Sequence, residues 1–405
     1  MAAAIDGVEI KGSDAGSSLE VLRVFLKLGL NSFGGPIAHL GYFRREFVVR
    51  RAWLDERAYA DLVALCQFLP GPASSQTGFA IGLLRAGYPG GLAAWAGFTL
   101  PSTIAMTLFA YCEGALHGPA GDGLLHGLKL TAVAIVAQAV LGMAQSLTPD
   151  RPRAAIAVLS LILMAFAPAG WAQIAVILFG ALAGLVVCRP GGDAAVVDFA
   201  APISRRIALV FAAAFFALLA LSFVPSSAGA PALAAAFYRS GALVFGGGHV
   251  VLPLLRTAVV DPGWVSANAF LAGYGAAQAM PGPLFTFAAY LGAVASTPPG
   301  GVAGAIVALV AIFAPGLLLL MAALPFWNGL RARVNARAAM AGVNAAVVGL
   351  LASALYNPVW TGAVRGPTDF AIAAAGFVAL VIWRVPPVIV VVATAAVATI
   401  LSVAG

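Results

Sequence analysis

Two six-residue stretches decide the architecture: Gln67-Phe68-Leu69-Pro70-Gly71-Pro72 and Gln278-Ala279-Met280-Pro281-Gly282-Pro283. Each interrupts an otherwise apolar segment. Proline lacks an amide hydrogen and fixes φ, while glycine permits a sharp turn, so Pro-Gly-Pro ends one half-helix and begins another. The two copies stand 211 residues apart. Upstream, Phe33-Gly34-Gly35-Pro36 pairs with Phe245-Gly246-Gly247-Gly248 at an offset of 212, and Trp53 and Trp264 fit 211. Pro89-Gly90-Gly91 matches Pro299-Gly300-Gly301, and Gly127-Leu128-Lys129 aligns with Gly342-Val343-Asn344. Such a period marks a duplication. The chain reads as a first repeat over 1–188, a linker with one extra apolar helix over 189–230, and a second repeat over 231–405.

Composition sets the solvent. Of 405 residues, 62% are hydrophobic and 9% charged, where a soluble protein carries about 25% charged. So few charges cannot cover a water-facing surface, which excludes a soluble enzyme and leaves an all-α polytopic membrane protein. The net charge of +7 is then read as membrane orientation, and nucleic acid is not expected as a partner. Met1 to Glu20 carries Asp6, Glu9, Asp14 and Glu20 and lacks the basic and apolar regions of a secretory signal. Cys66, Cys112 and Cys188 lie far apart, which supports neither a disulfide framework nor a zinc site. No phosphate-binding glycine loop and no metal-ligand grouping occurs, so no cofactor or metal is expected.

If each repeat crosses the bilayer an even number of times, the extra helix at 207–224 turns the second repeat upside down. Four full spans are expected per half, at about 90–112, 123–146, 153–168 and 170–188, and at about 300–325, 336–356, 370–383 and 387–404. Residues 58–87 would make one helix of about 45 Å, against a hydrocarbon core of about 30 Å. Broken at Pro-Gly-Pro, they read as a re-entrant hairpin, and the Phe-Gly-Gly segments as a second hairpin or a broken helix. With the N-terminus inside, 18 of the 22 basic residues fall on the cytoplasmic side, Arg239, Arg256 and Arg365 fall outside, and Lys129 lies in a span. That bias is the one bacterial inner-membrane proteins show.

The half-helix after Pro72 opens with Ala73, Ser74, Ser75, Gln76 and Thr77. Its free N–H groups and positive dipole end favour an anion, and the side chains add donors. The second repeat has the less polar Leu284, Phe285, Thr286 and Phe287 there. Lys27 and Arg239 each stand six residues before the phenylalanine of Phe-Gly-Gly. A cation in an apolar segment is a functional candidate, with snorkelling to the interface as the alternative. The expected substrate-binding set is Lys27, Asn31, Gly34, Gly35, Gln67, Pro70, Gly71, Pro72, Ser74, Ser75 and Gln76, with Arg239, Gly246, Gly247, His249, Gln278, Pro281, Gly282, Pro283 and Thr286 from the second repeat. Asp61, Glu113 and His39 are the candidates for proton coupling, and no residue is assigned a catalytic role.

These motifs resemble the chromate ion transporter family in its long, two-domain form. The resemblance rests on Phe33-Gly34-Gly35-Pro36 with Glu46 and Trp53, Leu69-Pro70-Gly71-Pro72, Phe245-Gly246-Gly247-Gly248-His249 and Met280-Pro281-Gly282-Pro283. It implies an inner-membrane protein that exports chromate, confers chromate resistance and draws on an ion or proton gradient. The second half departs from the first at Gly248, where the first has Pro36, and in its apolar stretch after Pro-Gly-Pro. The residues alone reach an oxyanion carrier in a lipid bilayer. Sulfate or another tetrahedral oxyanion is the alternative substrate, a membrane-embedded enzyme is the disfavoured alternative class, and a homodimer is a further expectation.

Overall fold

The computed structural model describes residues 16–166, 171–189, 203–226 and 228–404. The described residues are helical, with no strand. Lys11 and residues 190–202 of the linker lie outside them, as do the last two residues of the expected 153–168 span.

Local chemistry sets the first helices. Ser17 caps α1 (Ser18–Asn31), its hydroxyl accepting from the Glu20 amide, and Asp55 caps α3 (Glu56–Phe68) by accepting from Ala58. Between them lies α2 (Gly35–Phe43), continued by a wider turn over Arg44–Arg50. α3 stops where Leu69, followed by proline, takes an extended conformation (ψ 151). α4 (Ala73–Glu113) is two pieces, because the backbone leaves helical geometry at Ala86 and Gly87. The chain doubles back there, so that Gly82 lies against Gly90 and Phe79 against Gly91.

Both pairs of short limbs turn back on themselves. Glu20, at the start of α1, lies 3.5 Å from Arg51 beyond α2 and 3.4 Å from Arg85 at the turn of α4. Both guanidiniums sit over the Trp53 ring. The mouths of the two hairpins are thus together at one end of the molecule, and their broken tips point inward. The second repeat forms the same unit from α9 (Ala230–Ala242), α10 (Val251–Leu255, flanked by irregular turns), α11 (Ala267–Ala277) and α12 (Phe287–Val294). Its mouths are joined by Gly229 N–H to Thr297 Oγ1 (3.2 Å) and Ser296 N–H to the Trp264 carbonyl (2.9 Å). The limbs on either side of each Phe-Gly-Gly segment therefore fold back as a hairpin.

The straight limb of α4 after Gly87 is about 39 Å long at 1.5 Å per residue, enough to cross a hydrocarbon core. At its far end Glu113 is hydrogen-bonded to the Tyr290 hydroxyl, whose oxygen also lies 2.9 Å from the Ala269 carbonyl near the start of α11. α13 (Gly301–Ala323) and α14 (Trp327–Ala332) run the other way, ending where Arg331 pairs with Asp61 of α3 at 2.9 Å. The hairpins of the two repeats consequently open at opposite ends.

The remaining helices are exchanged between halves. α5 (Gly118–Leu147) packs on α17 (Pro367–Val381) and α18 (Pro387–Ala404), while α15 (Val334–Ala354, extended by Leu355–Trp360 into the short α16, Thr361–Ala363) packs on α6 (Arg151–Phe166) and α7 (Trp171–Val187). Small residues allow both contacts. Gly123 and Gly127 lie against the α18 backbone, and Gly180 and Gly184 against Gly342 of α15. α8 (Arg205–Ser222) covers α9 and α13, the Tyr238 hydroxyl donating to the Phe215 carbonyl.

Among the described residues, six helices are long and apolar enough to cross a membrane. Within the same described residues, α6, α7 and α17 have 16, 17 and 15 residues, fewer than the about 20 of an average span. One matched pair changes register. The hinge glycines are Gly87 and Gly300, with Gly82 on Gly90 in one half and Gly292 on Gly304 in the other. Pro89-Gly90-Gly91 thus lies inside α4, whereas Pro299-Gly300 lies in the turn before α13, since the second half has a longer connection there.

Candidate functional site

Four broken tips meet at the centre of the molecule, and each is held by the opposite half. The Gly71 amide donates to the Val244 carbonyl at 2.8 Å, and the Gly282 amide donates to the Ser32 carbonyl at 2.9 Å. The two bonds are counterparts, because Gly71 and Gly282 share a place in the repeat, as do Ser32 and Val244. Gly71 has φ 123 and Gly282 φ 95, a region that side chains strain to occupy. Each is also crowded by a full-length helix. A Cβ on Gly71 would stand 3.0 Å from Gly316 Cα of α13, and one on Gly282 would stand 2.8 Å from Ser102 Oγ of α4. Pro36 faces Gly248, its own counterpart, 3.2 Å from where a Cβ would be. Equivalent residues of the two halves thus meet at this point. A proline from each half would crowd that point, which accounts for glycine at 248.

The polar groups concentrate on the first repeat's side. The amides opening α4 have no partner one turn back within the helix. Ser74 and Ser75 are buried there, and Ser75 Oγ has no hydrogen-bond partner. His39 is buried between the tips, with Nε2 3.1 Å from the Ser32 carbonyl and Nδ1 3.4 Å from Ser74 Oγ. A carbonyl only accepts, so in the neutral ring Nε2 carries the proton and Nδ1 accepts from the hydroxyl. Gln76 donates to the Gly316 carbonyl (2.8 Å) and the Pro70 carbonyl (3.1 Å), tying Pro70-Gly71-Pro72 to α13, while its Oε1 lacks a partner. Ser32 Oγ, Thr99 Oγ1 and Asn344 Oδ1 are further buried atoms without partners. The second repeat is more closed. Thr286 donates its hydroxyl to the Pro283 carbonyl, and His249 Nδ1 lies 2.7 Å from the Tyr274 hydroxyl, while Gln278 Nε2 has no hydrogen-bond partner.

Of the expected residues, Gly34, Gly35, Pro70, Gly71, Pro72, Ser74, Ser75, Gln76, Gly246, Gly247, Pro281, Gly282, Pro283 and Thr286 belong to these tips or the turns that leave them, with His39 and His249 beside them. Others lie elsewhere. Lys27 and Asn31 are exposed on the outward face of α1 with Leu26 and Leu30, and Asn31 caps back onto the Lys27 carbonyl. Gln67 is exposed on α3. Arg239 lines a lateral cavity with Trp171, Gln173 and Phe223, its guanidinium 5.5 Å from the Phe223 ring centre. Asp61 is ion-paired at one end of the molecule and Glu113 bonded to Tyr290 at the other. Sequence reasoning did not single out Ser102, Gly316 or Asn344. Pro101-Ser102 and Pro315-Gly316 do share an offset of 214, a signal visible once the longer second connection is known.

Comparison with known proteins agrees with the doubled plan. The sequence profile of the family described as "Chromate transporter" matches twice, at residues 19–185 and 231–400. A chromate transport protein of Pseudomonas aeruginosa is 30% identical over 370 residues, covering 89% of this chain and 86% of the relative. A probable chromate transport protein of Synechococcus elongatus is 27% identical, covering 83% of each. A chromate transport protein of Cupriavidus metallidurans is 26% identical, covering 83% and 81%. No solved structure matches significantly.

Proposed function

The chain belongs to the chromate transporter family, and from that premise we propose that this multi-pass membrane protein is a secondary transporter that carries chromate out of the cytoplasm. Export across the inner membrane would confer chromate resistance. Similarity to named transport proteins favours a carrier over an enzyme.

One observation supports the site above the rest: the crossed bonds of Gly71 with Val244 and Gly282 with Ser32 bring four helix breaks to one point. A dianion leaving water loses hydration that only several charge-assisted hydrogen bonds can replace. The N-terminus of α4, with Ser74 and Ser75, offers such donors at a positive dipole end. With hairpins opening toward opposite ends, the arrangement suits an inverted repeat with the N-terminus cytoplasmic, rocking about a central site. His39 is placed to follow occupancy, since an anion recruiting the Ser74 hydroxyl would take it from Nδ1. His39, Asp61 and Glu113 are the proposed groups for coupling to a proton gradient.

The test is flux of radiolabelled chromate in proteoliposomes under imposed proton or voltage gradients, with sulfate as competitor. Outward-directed, gradient-driven flux is expected. Sulfate transported as well as chromate would favour the broader oxyanion reading, and reduced chromium without flux would overturn the carrier reading.

A further inference from the structure

Two arginine-bearing cavities approach the four tips from opposite ends, and both reach the same loop. The first, of 240 Å³, contains Arg153, Arg337, Asn344 and Phe68 in its wall. Arg153 is held by Asp150 at 2.6 Å in the connection between α5 and α6, and Arg337 opens α15. Two turns further along α15, the unpartnered Asn344 Oδ1 lies 3.5 Å from where a Cβ on Gly246 would be.

The second begins at the other end as a 540 Å³ cavity beside Arg256, Asp261 and Asn357. Gln173 and Thr257 are shared walls with a 240 Å³ cavity that holds Arg239 and Leu243. Leu243 directly precedes Val244, the acceptor of the Gly71 amide. The Leu243–Gly247 loop therefore stands between the two cavities.

The chemistry of the second cavity calls for an anion. Arg239 is half-buried, and no ion-pair partner for it occurs among the described residues. An uncompensated cation at membrane depth is costly unless a counter-ion reaches it. Arg256 meets Asp261 through Nη1 at 3.3 Å and has a buried Nε without partner. The Gln173 amide donates to Thr257 Oγ1 (2.9 Å), which leaves the threonine proton free to donate. The mirrored route in the other half is different. The counterpart of Asn344 is Lys129, buried and donating to Asn268 Oδ1 at 3.2 Å.

We propose that a single oxyanion path threads the protein on this side only. A tetrahedral dianion enters beside Arg153 and Arg337, passes the Leu243–Gly247 loop, and leaves beside Arg239 and Arg256. The proposal rests on the transporter reading and names the route that reading requires.

The test uses the full chain in proteoliposomes, with Cys112→Ser as background and Asn344→Cys or Thr257→Cys added. A membrane-impermeant thiol reagent should reach position 344 from one side and 257 from the other, and sodium sulfate or chromate should slow both reactions. Arg239→Gln and Arg337→Gln should each raise the KM for chromate about tenfold or more, or ~1.4 kcal/mol, whereas Lys129→Gln should leave it within about twofold. Intact wild-type flux with neither cysteine protected would overturn the path and leave the transporter standing. Protection of 257 by anionic lipid but not by sulfate would also overturn it, making the Arg239 cavity a headgroup site. Protection of both cysteines by sulfate without chromate flux would keep the path and reject chromate as its cargo.

Discussion

The Gly71 amide donates to the carbonyl of Val244 at 2.8 Å, joining residues from opposite halves of the chain. Its counterpart joins Gly282 to Ser32 at 2.9 Å. Because each half supplies one donor and one acceptor, neither tip can move without stretching a bond to the other half. The junction is thus a shared element through which movement of one repeat is felt by the other.

Substitution at these glycines should cost both stability and transport. Gly71→Ala and Gly282→Ala place a side chain at positive φ and against Gly316 or Ser102, a strain on the order of 1–3 kcal/mol. Gly41→Ala is the control, since nothing lies within 4 Å of a Cβ there. Lower melting temperatures and chromate flux are expected for the first two and not for the third. Unchanged flux in all three would reject the junction as the site.

Asp61 and Arg331 pair at 2.9 Å with side-chain exposures of 17% and 7%. Removing one charge leaves the other poorly solvated, so Asp61→Asn should destabilise by on the order of 2–4 kcal/mol. The exchange Asp61→Arg with Arg331→Asp should recover part of that loss. Thermal melts in detergent decide, and an unaffected Asp61→Asn melt would leave the pair without structural weight.

Thiol accessibility tests the hairpins. Cysteines replacing Arg45, Tyr88 and Arg333, all exposed, should label from one side, and one replacing exposed Arg365 from the opposite side. Simple spans in place of hairpins would divide Arg45 from Tyr88.

Lys27 and Arg239 hold the same place in the repeat but face different surroundings. α8 and the start of α7 enclose Arg239 near Phe223 and Trp171, while Lys27 sits on an open face with Leu26 and Leu30. Arg239→Gln should reduce chromate flux about tenfold, and Lys27→Gln by less than about twofold. Equal losses in both would restore the symmetric reading.

Close packing of α7 on α15 depends on Gly180, Gly184 and Gly342. Gly342→Val would force these backbones apart, and a large drop in folded yield is expected, on the order of the 1–3 kcal/mol that overpacking costs. Fluorescence-detected size exclusion measures it, and a normal monodisperse yield would contradict the contact.

Much of this was legible in the chain. The sparse charge and high hydropathy identify a membrane protein, and the doubled Pro-Gly-Pro and Phe-Gly-Gly motifs locate the four helix breaks, because proline and glycine act on the backbone locally. Pro89-Gly90-Gly91 and Pro299-Gly300-Gly301 match in sequence but not in structural place, since a longer second connection moved an identical tripeptide out of equivalence. Asn344 and Ser102 carried only a repeat match, and Arg337 none, because residues on long apolar helices show no local sign of what they face.

What sequence by itself determined is therefore the solvent, the duplication and the positions where helices must break, all consequences of composition and local backbone chemistry. Tertiary structure alone decided that each tip is held by the opposite half, that α5 and α15 exchange partners, and that α7 and α8 enclose Arg239 while Lys27 is left exposed. Those outcomes depend on contacts between segments some two hundred residues apart, where the packing of one extra helix, α8, breaks a symmetry that the motifs share.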